Sequence, residues 1–470
     1  MISVDTLPDD VLLSIFDYYV NENIKHLTQR EKAWQSLVHV CRRWRCIVFG
    51  SPRRLKLQLV CTDTTRVRDM LDIWPALPLV IQSYHPYRIG SVDSVIALLE
   101  RNDRVCQIYL PNVQRPDLEI VLAAMQHPFP ELTDLSLYSH STTVPVVSDS
   151  FLGGSAPRLR YLKLYGIPFP GIPKLLLSAT HLVDLYLSDI PHSGYISPDV
   201  VGTALSTLTS LQRLTLKFRF PQFCPGQASR HPLPSTPSVF PVLSCFWFQG
   251  AIKYLDDLVA CVDAPRLDKF NISFIKDIVF DTPRFMQFIS RTPMSRALQR
   301  AYITLRSCDA NLRFSSQASR DGGLYVEILR QGLDWQLSSL EQVCTSCLPP
   351  LSMLEDLYIY EDLNSQPDWR DDTENGLWLQ LLHPFTAVKR LYLCEETALR
   401  IGPALQELAE GRTMEVLPAL QNIFLDGLES SRPVQEDIGK FVAARQVASL
   451  PIEVSSWANS DGDKGYYQGD

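Results

Sequence analysis

The sequence lacks any apolar run long enough to cross a membrane. No uninterrupted apolar stretch approaches the roughly 20 residues that a transmembrane helix needs. The first residues, MISVD, place an acid before any apolar run, which is unlike a secretory signal. We therefore expect a protein of the cytoplasm or nucleus that has no membrane partner.

Motifs of common enzymes and metal sites are also missing. There is no phosphate-cradling glycine loop, no G-x-S-x-G and no H-E-x-x-H, and the nine histidines stand far apart. The pair Cys344 and Cys347 has C-x-x-C spacing, but no second pair follows at a spacing typical of zinc sites. We interpret it as a structural pair, and we expect no enzyme activity, no cofactor and no metal.

A disulfide framework is not expected either. The eleven cysteines are spread through apolar segments of a 470-residue chain, whereas disulfide scaffolds are dense in small secreted domains. This distribution indicates reduced cysteines that are mostly buried.

Basic residues are outnumbered by acidic ones, 44 to 52, and they are unevenly distributed. The net charge is −8, yet residues 1–60 carry nine Lys and Arg against six Asp and Glu, so this part is +3 and the remainder −11. A basic head on an acidic body disfavours general nucleic-acid binding, which needs a broad positive surface. It favours an acidic protein partner at the N-terminus.

The sequence does contain strong helix signals near its start. Pro8 suits a first helical position, and Asp9 and Asp10 complement the helix dipole. One apolar stripe is predicted for this helix, with Leu12, Ile15, Phe16, Tyr19 and the adjacent Val11. A second helix is predicted from about residue 31 to residue 49, with a stripe of Trp34, Leu37, Val38, Cys41 and Trp44. Helices this short need another surface to cover them, either the body of the same chain or a partner.

These two segments resemble an F-box. The resemblance rests on Leu7-Pro8-x-Asp10-Val11-Leu12-x-x-Ile15-Phe16, followed by Leu37-x-x-Val40-Cys41-Arg42-x-Trp44-Arg45-x-Ile47. The connection 21–30 is longer than is usual in that family. The resemblance implies docking on the Skp adaptor, and through it on a cullin. The residues that it assigns to the F-box core and the adaptor contacts are Leu7, Pro8, Val11, Leu12, Ile15, Phe16, Leu37, Val40, Cys41, Trp44 and Ile47.

From about Val105 onward an apolar pattern recurs: an anchor, two variable residues, an apolar residue, one variable residue and another apolar residue. Eleven copies run from Val105…Ile108-x-Leu110 to Leu420…Ile423-x-Leu425, with anchors mostly 23 to 34 residues apart. Helical segments with Pro or Asp at their starts lie between them. A period in this range indicates stacked repeats.

The pattern resembles irregular leucine-rich repeats. It implies an α/β fold in which F-box helices (1–53) precede a repeat solenoid (54–457) with a curved parallel sheet. We expect a proline-rich loop at about 220–241, an irregular insert or degenerate repeat at about 306–350, and a flexible tail at 458–470. Large sets of fungal F-box proteins look like this.

The function implied by the resemblance is that of a substrate-recognition subunit of an SCF-type ubiquitin ligase. The alternative is an adaptor-bound scaffold without a role in ubiquitination. The residue between the two inner apolar positions of each strand is expected on the concave face. Aromatic residues dominate the later part of this column, and they are the candidate contacts to an unknown protein substrate: Trp247, Tyr302, Tyr358, Tyr392 and Phe424. The open alternative is that these rings are covered, or only pack against one another.

Overall fold

The computed structural model describes most of the chain. The described residues are 6–21, 27–62, 67–83, 91–141, 144–168, 170, 172–219, 237–275, 282–294, 298–316, 322–329, 333–348, 351–361, 375–409, 411–426 and 432–457. The expected tail at 458–470 and most of the proline-rich loop, 220–236, lie outside them. The chain forms two compact units, one of Met1–Ile196 with Thr207–Leu211 and one of Ser197–Ser206 with Gln212–Asp470.

The first unit begins with three helices and continues with six parallel strands in chain order. The helices are α1 (Asp9–Asn21), α2 (Leu27–Val38) and α3 (Arg42–Gly50). The elements that follow are β1 (Leu59–Thr62), α4 (Val67–Ile73), β2 (Leu79–Gln82), α5 (Val92–Leu99), β3 (Val105–Leu110), α6 (Arg115–Ala124), β4 (Asp134–Tyr138), β5 (Tyr161–Tyr165), α7 (Ile172–Leu176) and β6 (Asp184–Ile190). Adjacent strands pair in parallel from β1 to β6.

The second unit repeats the alternation of strand and helix. Its first half comprises α8 (Pro198–Leu205), β7 (Arg213–Phe218), β8 (Ser238–Val239), β9 (Cys245–Gly250), α9 (Ile252–Val259), β10 (Val262–Asp263), β11 (Lys269–Ile275), α10 (Pro283–Arg291) and β12 (Arg300–Leu305). Its second half comprises β13 (Ala310–Ser315), β14 (Gly323–Leu329), α11 (Leu333–Gln342), β15 (Asp356–Glu361), α12 (Asn375–Leu382), β16 (Arg390–Leu393), α13 (Glu395–Leu408), β17 (Asn422–Asp426), α14 (Arg432–Val447) and β18 (Glu453–Trp457).

The recurring apolar positions form the core. Ile108, Leu135, Leu162 and Leu185 are Cα partners across β3 to β6, and all of them are buried. Each buried leucine contributes about 1.5–3 kcal/mol. Because the strand residues between these positions are less buried, one face of each sheet packs on helices and the other does not. All eleven predicted repeat strands are present, which confirms the expected strand–helix repeats.

The region from 306 to 350 interrupts the regular order. β13 pairs antiparallel with β12 and β14, so the strand order here is β11-β14-β13-β12-β15. The tight approach of β13 and β14 requires Gly323, whose φ is +116° and where a Cβ atom would meet the Phe314 carbonyl oxygen at 2.0 Å. The region expected at about 306–350 to be an irregular insert or a degenerate repeat thus contains β13, β14 and α11.

Two local predictions were wrong. The helix expected from residue 31 to residue 49 is two helices, because Cys41 is extended and its Sγ accepts a hydrogen bond from the Trp44 amide, capping α3. The alternation Leu55-x-Leu57-x-Leu59 predicts a strand over 55–59, but strand β1 begins only at Leu59. Leu55 and Leu57 are buried within a turn in which Lys56 has a φ of 49°.

The nine cysteines whose environment the structure describes are free, and fewer of them are buried than expected. Of the nine for which the structure assigns an environment, Cys61, Cys106, Cys261 and Cys344 are buried, two are half-buried and three are exposed. The side chain of Cys347 lies outside the described residues, so the expected structural pair is not observed as a pair.

Candidate functional site

The three N-terminal helices have a small aromatic core. Leu12 and Phe16 of α1 are buried, as is Trp34 of α2. Trp44 of α3 packs on Phe16 with ring centroids 4.7 Å apart. Trp34 also contacts Trp74, which follows α4, at 5.1 Å. The helical module thus packs both on itself and on the residues that follow it in the first unit.

The structure separates core residues from surface residues among the proposed adaptor contacts. Leu12, Phe16 and Leu37 are buried. Leu7, Trp44 and Ile47 are half-buried. The exposed ones are Pro8, Val11, Ile15, Val40 and Cys41. Of these, Val11, Ile15 and Val40 expose 39%, 48% and 58% of their surface, which is high for apolar side chains in a small helical module.

The single stripe predicted for α1 is two stripes. Leu12, Phe16 and Val20 face the core at i, i+4 and i+8, whereas Val11, Ile15 and Tyr19 form an exposed row beside them. Tyr18 is exposed as well and was not predicted as a surface residue. Tyr18 lies seven residues after Val11, and on a helix this spacing places both side chains on the same face.

Arginine side chains hold the beginning of α3 against the beginning of α1. Arg43 Nη2 lies 2.6 Å from Asp9 Oδ1, and the same group donates to the Leu7 carbonyl. Arg45 Nε donates to the Val38 carbonyl at 3.0 Å. Val40 lies two residues before α3, on the chain segment that leads into this link.

One half-buried carboxyl ties the helical module to the strands. Glu31 Oε1 on α2 accepts a hydrogen bond from the Val60 amide of β1 at 3.1 Å. Burial raises the pKa of Glu31 to about 7, although the bond from Val60 acts in the opposite direction. The Glu31 carboxyl in this contact therefore gains or loses its charge near neutral pH.

In the second unit, the predicted aromatic column forms a stacked row on the face away from the helices. We call Tyr302, Tyr358, Tyr392 and Phe424 the aromatic ladder. Its ring centroids are 4.6, 4.1 and 4.6 Å apart in that order, with interplanar angles of 10°, 10° and 9°. The rings meet because these residues are Cα partners across β12, β15, β16 and β17.

The ladder side chains were expected to be exposed, but they are half-buried. Stacking covers the ring faces, and the Trp457 ring of β18 lies 5.3 Å from Tyr392 and 6.1 Å from Tyr358. Burial is also the main cause that raises the pKa of Tyr358 and of Tyr392. Trp457 was not among the predicted residues, since β18 has no leucine pattern.

Trp247, the fifth predicted substrate contact, has different surroundings. Its ring lies between two lysines, with Lys217 Nζ 4.7 Å and Lys269 Nζ 5.4 Å from the ring centroid. Its indole Nε1 donates to Cys245 Sγ at 2.9 Å. Trp247 is therefore a cation–π centre, separate from the aromatic ladder on the same face.

Neither a metal site nor a membrane-spanning helix is found among the described residues. In that part of the chain, no group of three or more His, Cys, Asp or Glu side chains is placed to hold a metal ion. Within the same residues, no helix combines the length and apolar character needed to span a bilayer.

Comparison with known proteins gives one family match. Residues 4–62 match the F-box-like family. No curated protein matches the sequence. One similar solved structure is the leucine-rich repeat-containing protein LegL7 from Legionella pneumophila, with 11% identity over 76% of this chain and 97% of that chain and a TM-score of 0.28.

The fold and the family match define a class. The chain has an F-box-like domain at residues 4–62, and strand–helix repeats of the leucine-rich type follow it. F-box-like domains generally bind Skp adaptors. The fold and the domain match therefore define a chain that has an F-box-like domain and a following repeat region.

Proposed function

We propose that this protein is the substrate-recognition subunit of an SCF-type cullin ubiquitin ligase. The F-box-like domain binds the Skp adaptor, and through it a cullin, while the face with the aromatic ladder and Trp247 holds a protein substrate. The chain itself is not an enzyme. It contributes proximity by holding the substrate near the ubiquitin carrier, and it acts in the cytoplasm or nucleus.

The observation that carries this proposal is the exposed apolar row on α1 together with Val40. Val11, Ile15 and Val40 expose apolar surface on a module whose neighbouring positions are well packed. Burying such side chains against a partner contributes about 1.5–3 kcal/mol each. The excess of basic residues in residues 1–60 adds long-range attraction to an acidic adaptor.

The experiment introduces negative charge into this exposed apolar surface. The double variant Ile15→Asp, Val40→Asp should bind the Skp adaptor at least about 100-fold more weakly, since interface anchors commonly cost about 2 kcal/mol or more each. Its circular dichroism and melting temperature should match the wild type, because both side chains are exposed. Affinity is measured by calorimetry with purified adaptor.

The control is Ile120→Asp on α6, where the same residue type is 50% exposed. It should leave adaptor affinity unchanged. Undiminished binding by the double variant would contradict the assignment of the adaptor surface. Whether the complex also ubiquitinates is tested separately: a cullin should co-purify with the chain, and its consistent absence would support the scaffold alternative.

The substrate face is supported by the concentration of aromatic side chains on one sheet face. Aromatic residues are the commonest interface anchors, and the ladder presents ring edges on half-buried side chains. Trp247 and the ladder residues are the proposed contacts. Because stacking also stabilises the sheet, substitutions there must be judged by binding and by folding together.

A further inference from the structure

The sheet face that carries Trp247 is basic at one end. On β7, β11 and β13 it presents Arg213, Lys217, Lys269 and Arg313, all at positions that alternate with buried apolar residues. The one acid at such positions in the described strands β7, β9, β11, β13 and β14 is Glu327. Four positive charges against one negative charge give this area +3, on a chain whose net charge is −8.

Two of these cations are held against one ring. Lys217 Nζ and Lys269 Nζ lie 4.7 and 5.4 Å from the centroid of Trp247. Each ammonium group gains from the ring, whereas burial lowers the pKa of Lys217 despite the opposing charge of Glu327. An anion bound beside the ring would offset the cost of burying this charge.

We propose that these residues, named the basic patch (Arg213, Lys217, Trp247, Lys269 and Arg313), bind an acidic peptide segment of the substrate. Carboxylates of the segment pair with the lysines, and apolar side chains of the segment contact Trp247. The inference rests on the proposed function, in which this face holds the substrate, and it adds the chemical class of the bound segment.

The same face argues for a peptide over a nucleic acid. Beyond the basic patch the face carries both signs: Arg300 and Arg390 are paired with the buried Asp356, and the last strands β17 and β18 present Asp426 and Glu453. A phosphate backbone carries uniform negative charge and would be repelled by Asp426 and Glu453. A peptide can be acidic over one part and neutral or basic over the rest, so it matches a face of mixed sign.

The test uses the full chain and a fluorescently labelled oligoglutamate peptide, with an oligoglutamine peptide of equal length as the uncharged comparison. The wild type should bind oligoglutamate in low salt, lose affinity as salt rises, and bind oligoglutamine at least about tenfold more weakly. The variant Lys217→Gln, Lys269→Gln should weaken oligoglutamate binding by about tenfold or more. Lys217→Arg, Lys269→Arg keeps both charges and should restore most of the affinity.

The matched control is Lys253→Gln, Lys440→Gln, which removes the same net charge from lysines on α9 and α14. Equal oligoglutamate affinity for this control and for the Lys217, Lys269 variant would overturn the proposal. So would tighter binding of a single-stranded RNA oligonucleotide that the peptide fails to displace. Adaptor binding is measured in parallel, because its loss in the Ile15, Val40 variant tests the proposed function independently of the basic patch.

Discussion

Single residues decide how the N-terminal helices respond to pH. Glu31 is on α2, and its carboxyl is half-buried against the Val60 amide of the first strand. Because burial raises its pKa to about 7 from 4.5, the folded state favours the protonated form. Raising the pH from 4.5 to about 7 therefore lowers the free energy of unfolding. Above about pH 7 this loss of stability stays constant.

We predict that Glu31→Gln stabilises the protein at alkaline pH. The amide keeps an oxygen acceptor for Val60 but carries no buried charge, so the melting temperature at about pH 8 should exceed that of the wild type. Near pH 5 the difference should shrink, since wild-type Glu31 is then mostly protonated. Differential scanning fluorimetry across this range measures it, with Glu100→Gln as an exposed-carboxyl control. A constant difference at every pH would show that the charge is not involved.

A second prediction at this scale separates packing from binding. Leu12→Ala should cost about 2–5 kcal/mol of local stability because Leu12 is buried in the helical core. Ile15→Ala should cost little stability and weaken adaptor binding. Combining Leu12→Ala with Trp44→Ala would disrupt the Phe16–Trp44 contact as well, so that double variant tests folding and cannot locate the adaptor surface. Circular dichroism and calorimetry on each single variant distinguish the two effects.

At the scale of elements, register explains both the core and the ladder. Strand residues with the same position in successive repeats become Cα partners, so leucines stack on one face and aromatic residues on the other. The eleven repeat strands were predictable because the spacing of apolar residues within each strand is constant, although the length of the repeats varies. Strands β13 and β18 were not predicted, since their residues lack the leucine spacing and their pairing depends on neighbouring strands.

The ladder should stabilise the second unit in proportion to its stacking contacts. Tyr358 contacts Tyr302, Tyr360, Tyr392 and Trp457. We expect Tyr358→Ala to lower the free energy of unfolding by about 1–3 kcal/mol more than Phe424→Ala, which removes an end ring. Tyr186→Ala is a matched control, because Tyr186 holds the equivalent strand position in a repeat of the first unit and contacts Lys163 at 5.9 Å. Chemical denaturation measures all three, and equal losses would contradict a cooperative stack.

At the scale of the whole molecule, the N-terminal helices pack on the rest of the first unit over one side. This side packs through the Trp34–Trp74 contact and the bond from Val60 to Glu31. The other side exposes Ile15 and Val40. Deleting residues 1–50 would therefore also uncover Trp74, so surface substitutions test partner binding more cleanly than truncation does.

The proline-rich segment offers a prediction about the whole chain. Replacing 222–236 by a short Gly-Ser link should change the melting temperature little, because loop length enters closure entropy weakly. Extending the replacement through Phe240 should destabilise the protein by about 3–5 kcal/mol, as expected for the loss of a buried phenylalanine. The extended version also removes the bonds from Ser238 N to Cys261 O at 2.9 Å and from Phe240 N to Asp263 O at 2.7 Å. Equal melting temperatures for the two versions would contradict the contribution of Phe240.

The sequence by itself determined the class of fold, since helix signals, the F-box resemblance and the leucine spacing all depend on local pattern. It also located the aromatic column, because alternation along a strand assigns each side chain to a face. Tertiary structure alone decided which F-box residues are exposed, since Val11 and Leu12 are adjacent in the chain and differ only in what packs on them. It also brought Lys217, Trp247 and Lys269 together from three strands, and it set the pKa of Glu31 through burial against a distant amide.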